Sequence, residues 1–304
     1  MSELRFDGEC AVITGAGHGL GRGAALELAS RGAHVIVNDL PKAGGTTCAA
    51  DRVVDEIRAA GGRASAVSAD AVSPSGIEAL AAAAQEHGGA SVLVHSAALI
   101  RRVALADLSP ELLRQVVETN LTGSVLLLKA LLGQLRANQG RVVLFGSGAG
   151  MFGLSGQVAY GGTKAGLVGV SRCLADELAD DLVRVNVVLP YAVTNPGRTT
   201  LDWPPADLEL VAARGTVEHV AALVTVLSHQ STEVTGRVYS AMGGRYARVV
   251  TALAPGWAGT AGQTTRAEDL RDAFGLVDAG TPNWIPSRFE DELIEVARLL
   301  RRGS

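Results

Sequence analysis

The sequence is poor in cysteine and contains no cluster typical of a metal site. Its three cysteines, Cys10, Cys48 and Cys173, are far apart, and none belongs to a Cys-x-x-Cys pair or a Cys/His group. An odd and dispersed set of this kind indicates buried thiols in a reducing compartment and no disulfide framework. It also argues against a zinc site, so we expect no bound metal.

Long basic runs and long apolar runs are also missing. Lysine and arginine total 27 against 31 acidic residues, the formal net charge is −4, and no basic run is long enough to follow a phosphate backbone. We therefore expect no nucleic-acid partner. The first ten residues lack the apolar core of a signal peptide, and the longest apolar run, residues 124–129, is too short to cross a bilayer. These features predict a soluble, cytoplasmic protein with no membrane partner.

Short β-branched runs alternate with longer helical patterns through the first 245 residues, and no linker or composition break divides them. This alternation predicts one α/β domain with a doubly wound (Rossmann) fold, a seven-stranded parallel sheet carrying helices on both faces. After residue 246 the alternation ends, and we expect residues 246–304 to be a C-terminal extension, a cap or an oligomer arm. The predicted strands are 10–14, 34–38, 64–69, 91–95, 140–145, 183–189 and 236–240, and the predicted helices are 20–31, 47–60, 75–87, 110–135, 158–178 and 217–227.

A glycine-rich segment, Thr14-Gly-Ala-Gly-His-Gly-Leu-Gly21, joins the first predicted strand to the first predicted helix. Glycines at these positions permit a tight turn and let the backbone approach a pyrophosphate, whose charge then meets a helix N-terminus. An ordinary turn between strand and helix is the alternative. The strand before the segment and the helix after it favour a nucleotide-binding loop.

Asp39 ends the second predicted strand, eighteen residues after Gly21. This is near the spacing expected for a carboxylate that binds the adenosine ribose hydroxyls and repels a 2′-phosphate. Asn38 and Leu40 beside it carry no positive charge, so the sequence favours NAD(H) over NADP(H). Arg22 follows the last glycine and is either near the cofactor or on the surface.

Tyr160 and Lys164 lie four residues apart on a predicted helix, and Ser147 lies thirteen residues before Tyr160. Positions i and i+4 share one face of a helix, so the phenol and the ammonium point into the same cleft. A tyrosine has an ordinary pKa of about 10, and a neighbouring cation that stabilises the phenolate lowers it. Together with the nucleotide loop, these residues predict hydride transfer with proton exchange at an alcohol oxygen.

These motifs resemble the short-chain dehydrogenase/reductase family over roughly residues 6 to 245. The resemblance implies that Tyr160 exchanges the substrate proton, Ser147 orients the reacting oxygen, Lys164 lowers the pKa of the tyrosine and binds the ribose, and Asn120 holds a water. It also implies that Asp70 binds the adenine, although Asp70 is also explained as a turn residue before Ser73-Pro74. The implied cofactor-binding residues are Gly15, Gly17, His18, Gly19, Leu20, Gly21, Asp39, Leu40, Asp70, Ala71, Ser96, Ala97, Ala98, Tyr160, Lys164, Pro190, Val193 and Thr194.

Two segments depart from the family pattern. His95-Ser96-Ala97-Ala98 replaces the usual Asn-Asn-Ala-Gly, so the amide that stabilises the central strand is missing. Pro190-Tyr191 replaces Pro-Gly, which places a bulky ring near the expected nicotinamide position. Ala97 and Ala98 are still small enough to admit the cofactor, and Thr194 still matches the threonine expected to contact the carboxamide. We expect the reaction type to be retained, with either a reshaped pocket or a slower enzyme.

Further segments, among them residues 17–22, 35–40 and 152–158, resemble the (3R)-hydroxyacyl-CoA dehydrogenase unit of multifunctional enzyme type 2 and also 17β-hydroxysteroid dehydrogenase type 4. This resemblance implies an NAD(H)-dependent oxidoreductase that interconverts a secondary alcohol and a ketone, on a 3-hydroxyacyl thioester or a steroid-like hydrophobic substrate. One alternative is an NADPH-dependent 3-oxoacyl-ACP or polyketide ketoreductase. Another is a non-catalytic nucleotide-binding scaffold, against which the intact Ser147, Tyr160 and Lys164 argue.

The substrate pocket is expected to be apolar. Core packing would explain the same apolar residues, and the adjacent Arg101 and Arg102 are either ligands of CoA phosphates or solvated. The residues expected to line the pocket are Leu99, Ile100, Met151, Phe152, Leu154, Gln157, Tyr191 and Met242.

Four glycines, at 161, 162, 166 and 169, lower the helix propensity of the predicted helix 158–178. We interpret this helix as a subunit interface beside the predicted helix 110–135. The resemblance implies a homodimer or homotetramer formed through these two helices. Packing of the glycines within the subunit is the alternative.

Overall fold

The computed structural model describes residues 3–41, 48–192, 209, 213–260, 263–282, 284–286 and 289–302. The chain divides into two compact units, residues 1–248 and 249–304. The first unit contains an eight-stranded sheet with the order β3-β2-β1-β4-β5-β6-β7-β8. The strands are β1 (Cys10–Thr14), β2 (His34–Asp39), β3 (Arg63–Ser68), β4 (Val92–His95), β5 (Arg141–Phe145), β6 (Arg184–Tyr191), β7 (Val238–Met242) and β8 (Arg245–Val249).

Helices cover both faces of this sheet. One face carries α1 (Gly19–Ser30), α2 (Ala49–Ala59) and α8 (Val217–Ser228), with α1 packed against both of the others. The opposite face carries α3 (Pro74–Gln85), α4 (Pro110–Val117), α5 (Gly123–Ala137) and α7 (Val158–Glu177). A short helix, α6 (Gly148–Phe152), follows β5. Strands covered on both faces must be apolar on both sides, and every residue of β1 is accordingly buried.

The chain changes direction across the sheet at β1, which pairs in parallel with β2 on one side and with β4 on the other. In a doubly wound sheet, a crevice opens at this switch point beyond the carboxyl ends of the strands. The predicted doubly wound α/β class is confirmed.

The predicted count of seven strands was wrong, because β8 adds an eighth. It follows β7 after Gly243 and Gly244, whose φ angles are +58° and +81°. Two residues are too few for a crossover, so β7 and β8 form an antiparallel hairpin at the sheet edge. None of the five residues of β8 is buried, so the sequence carries no apolar run that would have revealed it.

The predicted helix 110–135 is interrupted. Residues Glu118–Thr122 form a π-helical turn between α4 and α5, which widens the helix by one residue and is common at functional sites. Asn120 in this turn is fully buried. A Cβ added at Gly123, where α5 begins, would lie 2.1 Å from the Val72 Cβ, so only glycine fits there.

The same stretch, Pro110–Ala137, is long and apolar enough to cross a membrane, with a mean hydropathy of 1.3. Length and composition alone do not separate a membrane span from the core helix of a globular domain. Here Leu127, Leu131 and Leu135 are buried, and α5 packs against α3. These contacts are those of a core helix.

Cys10 and Cys48 are buried, as expected, whereas Cys173 is exposed. The expectation of three buried thiols was therefore wrong for Cys173. It lies on the solvent side of α7, where the sequence pattern around it is too rich in small residues to show which face is covered.

The second unit contains two helices, α9 (Ala267–Asp278) and α10 (Phe289–Arg302). The sequence did not predict α9. A backbone hydrogen bond of 2.9 Å from Leu253 N to Trp284 O lies within this unit. Acidic residues occupy the first turn of α10, where they complement the helix dipole. The role of residues 246–304 as a cap or oligomer arm stays a prediction.

Candidate active site

The glycine-rich loop lies between β1 and α1, and its backbone is packed too closely for side chains. A Cβ on Gly15 would lie 2.8 Å from the Ala97 N, and one on Gly21 would lie 2.3 Å from the Gly15 O. Gly15 and Gly19 also adopt positive φ angles of +64° and +49°. Among the described residues, no side chain caps the N-terminus of α1, so its N–H groups are available to an anion. The predicted loop thus has the backbone features that a dinucleotide pyrophosphate requires.

Asp39 is fixed at the end of β2 by the backbone around it. Its Oδ2 accepts a hydrogen bond of 2.8 Å from the Gly17 N, and its Oδ1 accepts one of 2.7 Å from the Leu40 N. A Cβ on Gly17 would lie 2.5 Å from Oδ2, so this carboxylate also requires the glycine. The His18 Nδ1 lies 3.6 Å from the same oxygen. The carboxylate is therefore positioned beside the phosphate loop.

Arg22 does not point at this carboxylate. It forms an ion pair with Glu56 on α2, including a hydrogen bond of 3.1 Å from its Nε. Arg52 on the same helix lies with its Nη2 3.4 Å from the His18 Nε2. Of the two possibilities left open for Arg22, the structure shows the surface position.

Asp70 lies exposed after β3 and forms a turn. Its Oδ1 accepts a hydrogen bond of 3.1 Å from the Val72 N, and its carbonyl accepts one from the Ser73 N. The turn function is therefore visible in the structure, and adenine binding by Asp70 stays a prediction. Ala71 beside it is buried.

The structure brings Ser147, Tyr160 and Lys164 together. Ser147 follows β5 and caps α6 by accepting a hydrogen bond of 3.2 Å from the Ala149 N. Its hydroxyl also hydrogen-bonds Tyr160, which is 8% exposed on α7. The Lys164 Nζ lies 5.8 Å from the centroid of the Tyr160 ring and donates a hydrogen bond of 2.7 Å to the Phe145 O. This is the arrangement that the i, i+4 spacing predicted.

The pKa of Tyr160 differs in direction from the expectation. Burial raises it, and the hydrogen bond with Ser147 acts in the opposite sense with a smaller effect. Lys164 contributes no resolved lowering of this pKa, and its ammonium group donates to the Phe145 carbonyl. Burial also lowers the pKa of Lys164 to about 8.

Asn120 is held by backbone groups. Its Oδ1 accepts a hydrogen bond of 2.7 Å from the Leu99 N, and its Nδ2 donates one of 2.9 Å to the Leu99 O. The Nδ2 also lies 3.3 Å from the Thr163 Oγ1 on α7. The π-turn is thereby tied both to the segment after β4 and to the helix that carries Tyr160.

His95 fills the position of the missing family amide. Its ring is buried at the end of β4, and both ring nitrogens make hydrogen bonds of 2.8 Å, Nδ1 to the Thr14 Oγ1 and Nε2 to the Ser124 Oγ. The sequence identified the loss of the amide but not this replacement. Thr14 and Ser124 were also missed, because their hydroxyls meet His95 only in the folded chain.

The predicted pocket residues lie at or after the carboxyl ends of β4, β5, β6 and β7. Ile100 and Phe152 are exposed, and Leu99, Met151, Leu154, Gln157, Tyr191 and Met242 are half-buried. None of these eight side chains is in the buried core, so core packing does not account for them.

Pro190 lies opposite Ala241 of β7, Ser96 and Ala97 are half-buried, and Ala98 is exposed. The predicted cofactor contacts Val193 and Thr194 lie outside the described residues.

Two of these segments, one after β4 and one after β5, are in contact. The Val103 N donates a hydrogen bond of 2.7 Å to the Gly156 O. A Cβ on Gly156 would lie 3.1 Å from the Arg102 Cγ. Arg101 is exposed, with its Nη1 2.9 Å from the Ile100 O.

In the part of the chain that the structure describes, no group of three or more His, Cys, Asp or Glu residues is placed to hold a metal ion.

The comparisons with known proteins agree with this geometry. The sequence matches the family described as short chain dehydrogenase over residues 9–202. A peroxisomal hydratase-dehydrogenase-epimerase of Saccharomyces cerevisiae is 37% identical over 254 residues, which cover 81% of this chain and 27% of the yeast protein. A 3-oxoacyl-(acyl-carrier-protein) reductase of Synechocystis sp. is 34% identical over 241 residues, which cover 78% of this chain and 96% of that protein.

A solved structure of full-length peroxisomal multifunctional enzyme type 2 from Drosophila melanogaster is similar to this fold, with a TM-score of 0.80 and 28% identity. The match covers 98% of this chain and 50% of that one.

The chain belongs to the short-chain dehydrogenase/reductase family of oxidoreductases, whose members bind a nicotinamide dinucleotide. The predicted similarity to multifunctional enzyme type 2 is also confirmed. The match to this chain covers only 27% of the length of the yeast relative.

Because the Lys164 ammonium is buried, we predict that it lowers the free energy of unfolding. Burial lowers its pKa from an ordinary 10.5 to about 8. Between these values the unfolded state binds more protons than the folded state, so the free energy of unfolding rises with pH across this window. Below pH 8 both states carry the proton and the cost is complete. Lys164→Met should therefore stabilise the nucleotide-free protein near neutral pH, by a free energy on the order of 3 kcal/mol.

Urea unfolding of wild type and variant at several pH values measures this effect. The difference should shrink as the pH approaches 10.5. Lys129→Met, on the exposed side of α5, is the control and should show no such pH dependence. A Lys164→Met protein less stable than wild type at neutral pH would contradict the assignment of a costly buried charge.

Proposed function

We propose that this protein is an NAD(H)-dependent oxidoreductase that interconverts a secondary alcohol and a ketone, with a 3-hydroxyacyl thioester or a steroid-like hydrophobic molecule as substrate. The observation that carries the proposal is the meeting of Ser147, Tyr160 and Lys164 at the sheet edge where the glycine loop also lies. A scaffold protein would need none of these three side chains in this arrangement.

The side chains act on the oxygen of the substrate. In the oxidative direction, the Tyr160 phenolate accepts the hydroxyl proton while the Ser147 hydroxyl donates a hydrogen bond to the same oxygen. Because burial raises the pKa of Tyr160, formation of the phenolate needs a neighbouring positive charge. We assign this role to the ammonium of Lys164, whose Nζ lies 5.8 Å from the centroid of the phenol ring and has to turn from the Phe145 carbonyl towards the phenolate as it forms. The nicotinamide ring, when bound, supplies the hydride acceptor or donor.

Asp39 supports the preference for NAD(H). Both of its oxygens accept hydrogen bonds from backbone N–H groups, which hold the carboxylate beside the phosphate loop. A 2′-phosphate placed against this carboxylate would meet a like charge, and Arg22 is engaged with Glu56. The similarity to the Synechocystis reductase motivates the alternative of NADPH-dependent reduction of an acyl-carrier-protein thioester.

Wild-type protein should bind NADH more tightly than NADPH, and Asp39→Ala should reduce or reverse this preference because it removes the like charge. Fluorescence titration with both reduced nucleotides measures the two affinities. Asp55→Ala, an exposed carboxylate on α2, should leave the ratio unchanged. NADPH binding as tight as NADH binding in the wild type would instead favour the reductase alternative.

The substrate class is supported by exposed apolar residues that follow the carboxyl ends of β4 and β5. Ile100 and Phe152 are 54% and 73% exposed there, and apolar side chains in such positions are suited to contact a hydrophobic substrate. Arg101 is exposed beside them and is able to meet a phosphate of coenzyme A. A panel of 3-hydroxyacyl-CoA esters, steroids and simple ketones, followed by nicotinamide absorbance, distinguishes the candidate substrates.

Tyr160→Phe should lower kcat by about 10²–10⁴-fold, because it removes the group that exchanges the substrate proton. Nucleotide affinity should be nearly unchanged, since the ring remains. Steady-state kinetics on the best substrate of the panel and an NADH titration test both parts. Tyr246→Phe, whose hydroxyl bonds only the His219 carbonyl among the contacts described here, should keep full activity.

If the Tyr160→Phe protein turned over substrate at the wild-type rate, this mechanism would be wrong. Wild-type protein that binds nucleotide and turns over no alcohol or ketone of the panel would support the scaffold alternative.

The glycines of α7 serve two purposes, and only some support a subunit interface. Cβ atoms added at Gly161 and Gly166 would meet Ala149 and Leu121 of the same subunit at 3.0 and 3.2 Å. Gly162 and Gly169 are exposed, and a Cβ there would meet nothing within 4 Å. Exposed apolar side chains also lie on α5 and α7, at Val125, Leu126 and Val158. These features support a homodimer or homotetramer with a twofold axis at this face.

Gly169→Leu should shift the oligomer towards monomers, because the new side chain would occupy the space of the facing subunit. Sedimentation velocity at micromolar concentration measures the change. Ala59→Leu, at an exposed position of α2, is the control. A wild-type monomer that is active at this concentration would remove the proposed interface.

A further inference from the structure

His95 joins two parts of the active site that are distant in sequence. Its side chain is 1% exposed, and hydroxyl groups flank it on both sides. Thr14, at the end of β1, precedes the phosphate loop, and Ser124 lies on α5 one turn after Asn120. The Thr14 Oγ1 also accepts a hydrogen bond of 3.2 Å from the Ala97 N, and the Ser124 Oγ donates one of 2.8 Å to the Asn120 O. A continuous chain of hydrogen bonds therefore runs from Ala97 to Asn120.

The direction of each bond in this chain follows from its ends. The Asn120 carbonyl only accepts, so the single hydroxyl hydrogen of Ser124 is used there, and the Ser124 Oγ must accept from the His95 Nε2–H. The other nitrogen, Nδ1, is then unprotonated in a neutral ring and accepts from the Thr14 hydroxyl. The Thr14 oxygen is left to accept from the Ala97 N–H. Only the neutral Nε2–H tautomer satisfies every group in this way.

Burial and neighbouring charge favour the same neutral state. Burial lowers the pKa of His95 to about 3, and the nearby ammonium of Lys164 acts in the same direction. An imidazolium would carry a second donor towards the Thr14 oxygen, whose hydroxyl would then have to turn away. The ring is therefore a fixed connector with one donor and one acceptor.

Each end of this chain of hydrogen bonds is attached to a functional segment. Ala97 lies against the phosphate loop, since a Cβ on Gly15 would be 2.8 Å from its nitrogen. At the other end, Ser124 bonds the carbonyl of Asn120, whose side chain holds both backbone groups of Leu99. The two segments that flank the cleft are thus fixed relative to each other through one imidazole.

We propose that His95 is a positioning residue with two separable arms, a Thr14 arm that sets the nucleotide loop and a Ser124 arm that sets the π-turn of Asn120. The kinetic part rests on the proposed oxidoreductase function. His95 touches neither substrate nor cofactor, and it acts through the residues at the two ends.

Two single-group variants test the arms separately. Thr14→Val removes the acceptor for Ala97 and should weaken NADH binding about tenfold, with little effect on kcat. Ser124→Ala removes the bond to the Asn120 carbonyl and should lower kcat by about tenfold while the NADH affinity stays the same. Thr225→Val and Ser228→Ala are matched controls, because these two buried hydroxyls have no hydrogen-bond partner in the described part of the chain. Both controls should leave affinity and kcat unchanged.

Substitutions of His95 itself should divide the effects in the same way. His95→Gln keeps a donor near the Nε2 position and should retain kcat with weakened NADH binding. His95→Asn keeps an acceptor near the Nδ1 position and should retain NADH binding with lowered kcat. A purely structural role for the ring would instead lower stability and both functional readouts together in the two variants, and that result would overturn the proposal.

Two measurements do not depend on turnover and separate this proposal from the proposed reaction. NMR of the isotope-labelled imidazole should show His95 as the neutral Nε2–H tautomer between about pH 5 and 8. Ser124→Ala should accelerate hydrogen exchange of the Leu99 amide, which Asn120 protects, and Ser228→Ala should not. A protonated ring, the Nδ1–H tautomer, or unchanged Leu99 exchange would overturn the positioning role, whether or not an alcohol substrate is found.

Discussion

The parallel pairing of β1 with β4 is the constraint on which the rest of the site depends. The two strands are about 80 residues apart in sequence, and Thr14 of one meets His95 of the other across 81 positions. Because both strands end at the same edge, the glycine loop after β1 and the segment after β4 come within contact distance. The approach of Gly15 to Ala97 leaves no room for a side chain. The cleft exists because these two backbones meet there.

Function at this edge is obtained at the expense of stability. Lys164 is 2% exposed, and its ammonium has lost most of its water in exchange for one carbonyl and the face of a tyrosine ring. Taking a charge out of water costs free energy unless it is well paired. The same desolvation strengthens the interaction of the ammonium with any negative charge that develops on Tyr160, since the local dielectric is low. The costly group is therefore placed where its charge acts most strongly.

Local patterns in the sequence were sufficient for the fold class and for the positions of the main candidate residues. The glycine loop, Asp39 and the Tyr160/Lys164 pair each depend on short spacings, and each lies where the spacing placed it. The features that were missed depend on contacts between distant residues or on departures from regular geometry. β8 has no buried residue, so no apolar run indicates a strand there. The π-turn lies within an apolar periodicity that predicts one continuous helix. The hydroxyl partners of His95 become neighbours only when β1, β4 and α5 are assembled.

The π-turn at Glu118–Thr122 has a consequence for how this chain tolerates change in length. A π-helical turn is equivalent to one residue inserted into an α-helix. Removing a single residue from it would leave a continuous and locally more regular helix, with the faces of α4 and α5 on either side still in register, because the wide turn accommodates the extra residue. Asn120 would leave its place against Leu99, although no functional side chain had been deleted. In this segment the number of residues therefore matters as well as their identity, and a more ideal helix would be the less useful one.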